Sequence, residues 1–249
     1  MITFETSKLI SIRKMNPWNG ESLEFLDGQL ILIDKPYGWT SFDVVKKIRS
    51  NICKKLNVKK IKVGHAGTLD PLATGLLIIA TGKFTKKIDD LMGLEKEYSG
   101  IIKLGATTPS FDLETELDQE FKTDDLTTDK VLLAAKKLTG ELDQIPPIFS
   151  AKKIDGKRAY KLARAGKEVE LKSRKVLVKK FDTKSLGIPN VEFNITCSKG
   201  TYIRSLARDL GLELNNGGHL TVLRRESIGQ FKVSTAITPE SFTEALKGL

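Results

Sequence analysis

The chain has 249 residues, 40% of them hydrophobic, and carries two cysteines, Cys53 and Cys197, far apart in sequence. This length is enough for one large domain or two modest ones, while the longest apolar runs fall well short of the ~18 residues that cross a bilayer. The first thirty residues contain no secretory signal, and two distant cysteines do not build a disulfide framework. We therefore predict a cytoplasmic protein with reduced thiols.

The positive charge is unevenly distributed along the chain. Lys and Arg balance Asp and Glu at 21 each over residues 1–149, whereas residues 150–249 hold 20 basic and 10 acidic side chains. Residues 152–180 carry 12 basic and 3 acidic residues, and residues 46–62 carry 8 basic residues and no acidic one. One such run is usually a solvated face, but two runs with a pI near 9.4 favour a polyanionic partner. Neither run lies opposite an apolar face rich in Trp or Phe, so a membrane surface is the weaker alternative.

The first half of the chain begins with residues 1–28, which show no clear period and predict a loosely tied N-terminal extension. Apolar and lysine positions alternate with helical spacing after Phe42, so this segment predicts a helix with a basic outer face. The predicted elements that follow the extension are a strand at about Leu30 to Asp34, a Pro/Gly turn at 35–39, the helix from Phe42 capped by Thr40 or Ser41, a buried strand at 76–80, a helix at Lys83 to Met92 and a strand at Glu97 to Leu104.

The second half mixes short strands and helices. Residues 112–129 hold eight acidic side chains and one basic one, and predict a solvated excursion. The elements predicted after it are a helix at Asp129 to Leu138 capped by Thr128, a rigid connection at 145–150, a basic helical turn at Ala159 to Ala165, strands at 176–181, 191–197 and His219 to Arg225, a helix at Thr201 to Leu214 and a short helix from Pro239. Because there is no strict βαβ rhythm, we predict an α+β fold with a mixed, largely antiparallel sheet flanked by helices and loops.

The segment around which the chain is organised is residues 64–75, Gly64-His65-Ala66-Gly67-Thr68-Leu69-Asp70-Pro71-Leu72-Ala73-Thr74-Gly75. Three glycines give this loop backbone freedom, and the buried strand after it anchors the loop in a core, so that Asp70 is presented as a fixed carboxylate. Taken alone, Asp70 could equally be a turn residue that bonds its own backbone, and His65 a neutral imidazole that bonds a nearby carbonyl. No His, Cys, Asp or Glu cluster has metal-ligand spacing, so we expect no metal and no cofactor.

The sequence GHAGTLDPLATGLL resembles the catalytic motif of the TruB family of tRNA pseudouridine synthases. The resemblance implies that Asp70 is the catalytic residue and that His65 contacts the RNA loop from which the target uridine is flipped. A second stretch, Lys199-Gly200-Thr201-Tyr202-Ile203-Arg204, resembles the family motif whose arginine pairs with the catalytic aspartate. By this likeness Arg204 keeps Asp70 ionised, although without it Arg204 would be interpreted as an ordinary exposed helix arginine.

Further residues match the family pattern. The resemblance assigns Tyr98 to stacking on the flipped base, Tyr202 to the pocket wall and Leu223 to an apolar contact with uracil. Lys35 and Pro36 match the first family motif, whose role we take to be support of the catalytic loop. Without the resemblance, a strand tyrosine such as Tyr98 would be interpreted as a core residue.

The likeness implies a pseudouridine synthase catalytic domain over residues 29–249, preceded by an extension at 1–28 that has no counterpart in the family. Family members commonly carry a C-terminal PUA domain, for which we expect no room in this chain, and the basic segment 152–180 is the candidate replacement. The expected activity is isomerisation of a uridine in the T arm of tRNA, at tRNA position 55, by a monomer that binds neither DNA nor membrane. Asp70 could attack C1′ of the ribose or remove the C2′ proton, and the sequence does not choose between them.

Two other functions compete with this hypothesis. A non-catalytic tRNA-binding protein that helps tRNA to fold would use the same cleft without chemistry, but mere binding does not require a carboxylate facing a phosphate-rich ligand. A base-excising glycosidase would also use one aspartate and a flipped base. It would release free uracil, whereas pseudouridine formation does not.

Overall fold

A computed structural model of the chain describes residues 15–150, 171–185 and 187–249, together with the backbone of residues 153–154 and 157–158. The chain divides into two compact units. The first contains the residues up to Lys96 and Arg224–Leu249, and the second contains Glu97–Leu223. Within the described residues, no helix is both long enough and apolar enough to cross a membrane.

The strands are β1 (Leu30–Lys35), β2 (Val63–His65), β3 (Thr74–Thr81), β4 (Lys96–Leu104), β5 (Ala106–Thr107), β6 (Gln119–Glu120), β7 (Gly140–Gln144), β8 (Lys153–Ile154), β9 (Lys157–Arg158), β10 (Arg174–Ser185), β11 (Asn190–Cys197), β12 (Gly218–Ile228) and β13 (Phe231–Lys232). The α-helices are α1 (Ser41–Lys55), α2 (Ile88–Met92), α3 (Thr128–Lys137), α4 (Ile203–Glu213) and α5 (Pro239–Gly248), with 3-10 segments at Gly82–Lys87 and Val233–Thr235.

Strand β3 lies at the centre of the first unit. It pairs antiparallel with β1 along its whole length, from Leu30 opposite Ala80 to Lys35 opposite Gly75. It also pairs antiparallel with β2 near Thr81 and parallel with β12 near Thr74. The residues 76–80 of β3 are completely buried, as expected for an apolar run with neighbours on both sides. The prediction of a buried strand after the Asp70 loop is therefore confirmed.

Helix α1 covers one face of this sheet with its apolar side. Thr40 caps it, since its hydroxyl accepts from the Asp43 N–H while the Asp43 carboxylate accepts from the Thr40 N–H, a complete capping box. The buried positions of α1 include Val44, Val45 and Ile48, and its lysines remain on the outer side. The structure thus identifies Thr40, rather than Ser41, as the cap.

The described part of the N-terminal segment is packed, not loosely tied as we predicted. Trp18 lies 4.9 Å from Phe242 of α5 and 5.6 Å from Phe25, measured between ring centroids, and Phe25 is completely buried. The two aromatic side chains bury enough apolar surface to hold an otherwise irregular segment. No sequence period marks them, because a loop contributes to a core at single positions.

The second unit is built on strands in the order β12, β4, β11, β10 and β7. The pairs β10–β11 and β7–β10 are antiparallel, and α3 and α4 pack with the sheet around one core that includes Phe181, Phe193 and Leu206. The prediction of an α+β fold with a mixed, largely antiparallel sheet is confirmed. A separate two-stranded pair, β5 with β6, gives the acidic stretch 112–129 some regular structure that its composition did not predict.

Several element boundaries differ from the predictions. The helix predicted over Lys83 to Met92 is a 3-10 segment followed by the five-residue α2, and the Thr85 hydroxyl donates to the Gly82 carbonyl, a local bond that competes with a helical ladder. Helix α3 is capped by Thr127, one residue before the predicted Thr128. The helical turn predicted at Ala159 to Ala165 lies outside the described residues.

Candidate active site

The loop that carries Asp70 connects β2 to β3 and is fixed by backbone contacts. The buried Leu69 is held on both sides of its peptide by Ser41, because the Leu69 N–H donates to the Ser41 Oγ at 2.9 Å and the Ser41 hydroxyl donates to the Leu69 carbonyl at 3.1 Å. The Asp70 carbonyl accepts from the Ala73 N–H at 3.1 Å, which closes a turn at Pro71. The half-buried Asp70 side chain therefore projects from a loop whose neighbours cannot shift freely.

Lys35, at the end of β1, ties the next turn to this loop. Its side chain is fully buried, and its Nζ donates to the carbonyls of Pro36, Trp39 and Pro71 at 3.0, 2.6 and 3.2 Å. Burial lowers the pKa of Lys35 from 10.5 to about 8, although the nearby Asp70 carboxylate acts in the opposite direction. At neutral pH Lys35 is still mostly protonated, so a positive charge lies beneath the loop.

Arg225, on β12, braces the loop from a second direction. Its side chain is 1% exposed, its Nε donates to the Leu76 carbonyl at 2.7 Å and its Nη2 donates to the Gly67 carbonyl at 3.0 Å. One guanidinium thus bonds a carbonyl on each side of Asp70 in the chain. This role of Arg225 was not predicted from the sequence. One feature of the sequence could have indicated it: Arg225 lies in a strand with apolar residues, and a charge that is buried there needs hydrogen-bond partners.

His65 ends β2, next to the same loop. Burial is the main cause that holds the pKa of His65 below its ordinary value of 6.5, and the positive charge of Arg225 acts in the same direction. The imidazole is therefore neutral at pH 7 and can donate one hydrogen bond and accept another.

The second unit holds Tyr202 between a glutamine and an arginine. The Tyr202 N–H donates to Gln144 Oε1 at 2.8 Å, and Gln144 Nε2 donates back to the Tyr202 carbonyl at 3.0 Å. The Arg174 guanidinium lies 4.3 Å from the centroid of the Tyr202 ring, within cation–π range. Gln144 and Arg174 were not singled out from the sequence, because neither belongs to a motif with a mechanism.

Arg204 is buried in the first turn of α4, although an isolated helix arginine is usually exposed. It is 3% exposed, donates to the Ser110 carbonyl at 3.0 Å and to the Phe149 carbonyl at 2.7 Å, and lies 3.5 Å from Asp112 Oδ2. Asp112 is itself only 6% exposed, so the prediction that the stretch 112–129 is solvated is wrong at its first residue. The acidic composition of the stretch did not reveal that Asp112 is buried beside Arg204.

Tyr98 on β4 and Leu223 on β12 are half-buried and pack against the core of the second unit. The predicted site residues therefore fall into two groups. Lys35, Pro36, His65 and Asp70 belong to the first unit, where the contacts of Lys35 bring its turn and the Asp70 loop together. Tyr98, Tyr202, Arg204 and Leu223 belong to the second. In the described part of the chain, no group of three or more His, Cys, Asp or Glu side chains could hold a metal ion.

Residues 54–203 match the family model described as TruB family pseudouridylate synthase, N terminal domain. The chain is 53% identical over 225 residues to a Flavobacterium johnsoniae protein named tRNA pseudouridine synthase B, an alignment that covers 90% of this chain and 98% of the relative. A Phocaeicola vulgatus protein of the same name is 51% identical over 224 residues, covering 90% of this chain and 95% of the relative.

Two solved structures are similar to most of this chain. One, titled as the crystal structure of a Cbf5-Nop10-Gar1 complex, aligns with a TM-score of 0.66 and 30% identity over 93% of this chain. The other, titled as an H/ACA RNP bound to a substrate RNA containing 2′-deoxyuridine, aligns with a TM-score of 0.62 and 29% identity over 89% of this chain. The chain spans 60% and 54% of the matched chains, respectively.

Proposed function

Since the chain belongs to the TruB family of pseudouridylate synthases, we infer that it is an isomerase that converts a uridine of tRNA to pseudouridine. Its similarity to proteins named tRNA pseudouridine synthase B extends over nearly their full length. We propose that the target is the T-arm uridine at tRNA position 55, that residues 29–249 form the catalytic domain, and that the protein acts as a monomer in the cytoplasm, where tRNA is available.

We propose Asp70 as the catalytic carboxylate. In the reaction the N1–C1′ bond breaks, the uracil turns within the pocket and C5 bonds to C1′, after which C5 loses its proton and N1 gains one. No atom is added and no redox change occurs. Asp70 could open this sequence by attacking C1′, which gives a glycosyl ester, or by taking the C2′ proton, which gives a glycal.

The single observation that supports this role best is the way the Asp70 loop is held. Ser41, Lys35 and Arg225 bond backbone groups at four residues, Gly67, Leu69, Pro71 and Leu76, which surround Asp70 in the chain. A reacting group that is positioned in advance needs less ordering in the transition state. The Lys35 ammonium also supplies a nearby positive charge, which favours the ionised form of the Asp70 carboxylate.

The target base must leave its stack before Asp70 can reach the ribose, at a cost of roughly a few kcal/mol. We propose that Tyr98 stacks on the flipped base, which returns about 1–3 kcal/mol, that Tyr202 and Leu223 form further walls of the pocket, and that His65 contacts the RNA loop. The two hydrogen bonds between the Gln144 side chain and the Tyr202 backbone support a fixed position for this residue. The pairing of Arg204 with Asp70 remains a prediction.

Incubation of the protein with unmodified tRNA, followed by nucleoside analysis, tests the assignment. We expect one pseudouridine per tRNA and no free uracil, and a tRNA with cytidine at position 55 should give none. Release of uracil would identify a glycosidase. Tight binding without either product would identify a non-catalytic tRNA-folding protein. Product from the position-55 variant would place the target elsewhere.

A further inference from the structure

The outer face of α1 begins next to the Asp70 loop and carries an exposed aromatic ring. Phe42 is 61% exposed and directly follows Ser41, the residue that holds the Leu69 peptide. Lys46 lies one helical turn further on the same face, because residues four apart are neighbours on a helix surface. The exposed face therefore joins the aromatic ring to the first lysine of the basic run.

The same face leads into a basic groove of about 390 Å³. The cations that line it are Lys46 and Arg49 from α1 and Lys59 and Lys60 from the segment before β2, and no carboxylate lines it. Among the described residues these four side chains form no ion pair, whereas other exposed lysines do, such as Lys83 with Asp27 and Lys247 with Glu244. Four cations that line one groove without a salt-bridge partner in the described part of the chain repel one another, so the groove is suited to an anion.

An exposed phenylalanine alone would need no explanation, but its position here favours a base over a protein partner. A protein-docking surface would need a continuous apolar patch. Beyond Phe42 this face carries exposed lysines instead, and the acidic residue beside it, Asp43, is occupied by the capping box. An aromatic ring followed by unpaired cations is the pattern by which proteins bind single-stranded nucleic acid.

We propose that Phe42, Lys46, Arg49, Lys59 and Lys60, the α1 track, bind the RNA strand beside the target uridine. Phe42 stacks on an unpaired base, and the groove cations bind phosphates of the same strand. Phe42 and Arg49 are seven residues apart, about 10 Å along the helix axis, which matches about three nucleotides of a stacked strand. This inference rests on the proposed function, because that function supplies the RNA.

Binding of an unmodified T-arm hairpin to the Asp70→Asn protein tests the stacking contact. We expect Phe42→Leu, which keeps an apolar side chain but lacks a π face, to weaken binding about fivefold or more. Phe42→Tyr should bind as the unaltered protein does. Leu133→Ala removes a similarly exposed apolar side chain (63% exposed) from α3 and should also leave binding unchanged. Equal affinity of the Leu and Tyr variants at position 42 would overturn the stacking role.

The salt dependence of binding tests the groove. In Lys46→Ala/Arg49→Ala the negative slope of log affinity against log salt concentration should become shallower by about 1.5, since each lost phosphate contact reduces its magnitude by about 0.7–0.9. The control Lys136→Ala/Lys137→Ala removes the same charge from the exposed face of α3 and should leave the slope unchanged. Equal slopes for the two double variants would refute the α1 track. The proposed function fails separately, if the wild-type protein makes no pseudouridine.

Discussion

At the scale of single residues, the proposed chemistry depends on buried cations as much as on the Asp70 carboxylate. Asp70 is half-buried, and two side chains that do not react, Lys35 and Arg225, bond the carbonyls around it. Burying a charge is costly unless it is hydrogen-bonded, and both cations donate to backbone oxygens. These hydrogen bonds offset the cost of burying the two charges. They also hold the loop, and with it the Asp70 carboxylate, in one position.

Replacing Lys35 by methionine should loosen the Asp70 loop, while a side chain of similar size still fills the position of Lys35. The Pro36 and Trp39 carbonyls lose this donor, and a buried acceptor that is left without a partner costs about 1–3 kcal/mol. We expect chemical denaturation to show a loss of that order and the rate of pseudouridine formation to fall. Lys247→Met, at a side chain that is 68% exposed, should change neither quantity. Unaltered stability and rate in Lys35→Met would show that the loop does not depend on this anchor.

The lowered pKa of Lys35 also predicts a pH dependence of stability. Its pKa is about 8 in the folded chain and 10.5 in the unfolded chain, so between these values the unfolded state binds more protons. The free energy of unfolding of the wild-type protein, measured relative to Lys35→Met, should therefore rise from pH 8 to 10.5. Below pH 8 the difference between the two proteins should be constant. A difference that falls over the upper range would contradict the depressed pKa.

At the scale of elements, the Asp70 loop depends on the parallel pairing of β3 with β12. Gly75 lies opposite Arg225 in this pair, with a φ of +102°, and a Cβ there would lie 2.4 Å from the Arg225 carbonyl oxygen. Glycine is thus needed at Gly75 both for its backbone angle and for the close approach of the neighbouring strand. The pairing brings the Arg225 side chain within reach of the loop.

Gly75→Ala should destabilise the protein more than an alanine at another glycine with positive φ. Gly20 has a φ of +91°, and no atom lies within 4 Å of the position that a Cβ would take there, so Gly20→Ala carries only the backbone strain, about 1–2 kcal/mol. Gly75→Ala carries in addition a clash with backbone, worth about 1–3 kcal/mol. Thermal and denaturant unfolding of both variants will measure the difference. Equal losses would mean that β12 moves away without cost.

Much of this architecture could be predicted from the sequence, because several elements have a clear local pattern. The apolar run of β3, the alternation in β11 and the capped period of α1 each follow from local pattern. The bracing by Arg225, the Gln144 contacts of Tyr202 and the burial of Asp112 could not be predicted, because they join positions far apart in the chain. The motifs predict which residues act in the site, and the structure adds how several of these residues are held.

At the scale of the whole molecule, the charge of +10 is a property of two segments and not of the general surface. The α1 track lies in the first unit, and the segment 152–180, only part of which the structure describes, belongs to the second. Both carry cations that a polyanion can neutralise. Electrostatic attraction of this kind supplies affinity and orientation, while base contacts supply specificity.

We therefore expect tRNA affinity to depend steeply on salt. If the two segments together make 6–10 phosphate contacts, affinity should fall by ~10³–10⁵ between about 50 and 200 mM salt. Filter binding or fluorescence anisotropy with unmodified tRNA and the Asp70→Asn protein will measure this. An affinity that stays constant over the range would contradict an electrostatic interface.

Nucleoside analysis of tRNA treated with the Asp70→Asn protein tests whether Asp70 performs the isomerisation. Asparagine keeps the size of the side chain but can neither attack C1′ as an anion nor accept the C2′ proton. We expect no pseudouridine above the enzyme-free background, with the melting temperature and tRNA affinity of the wild-type protein retained. Formation of pseudouridine at the wild-type rate by this variant would contradict it.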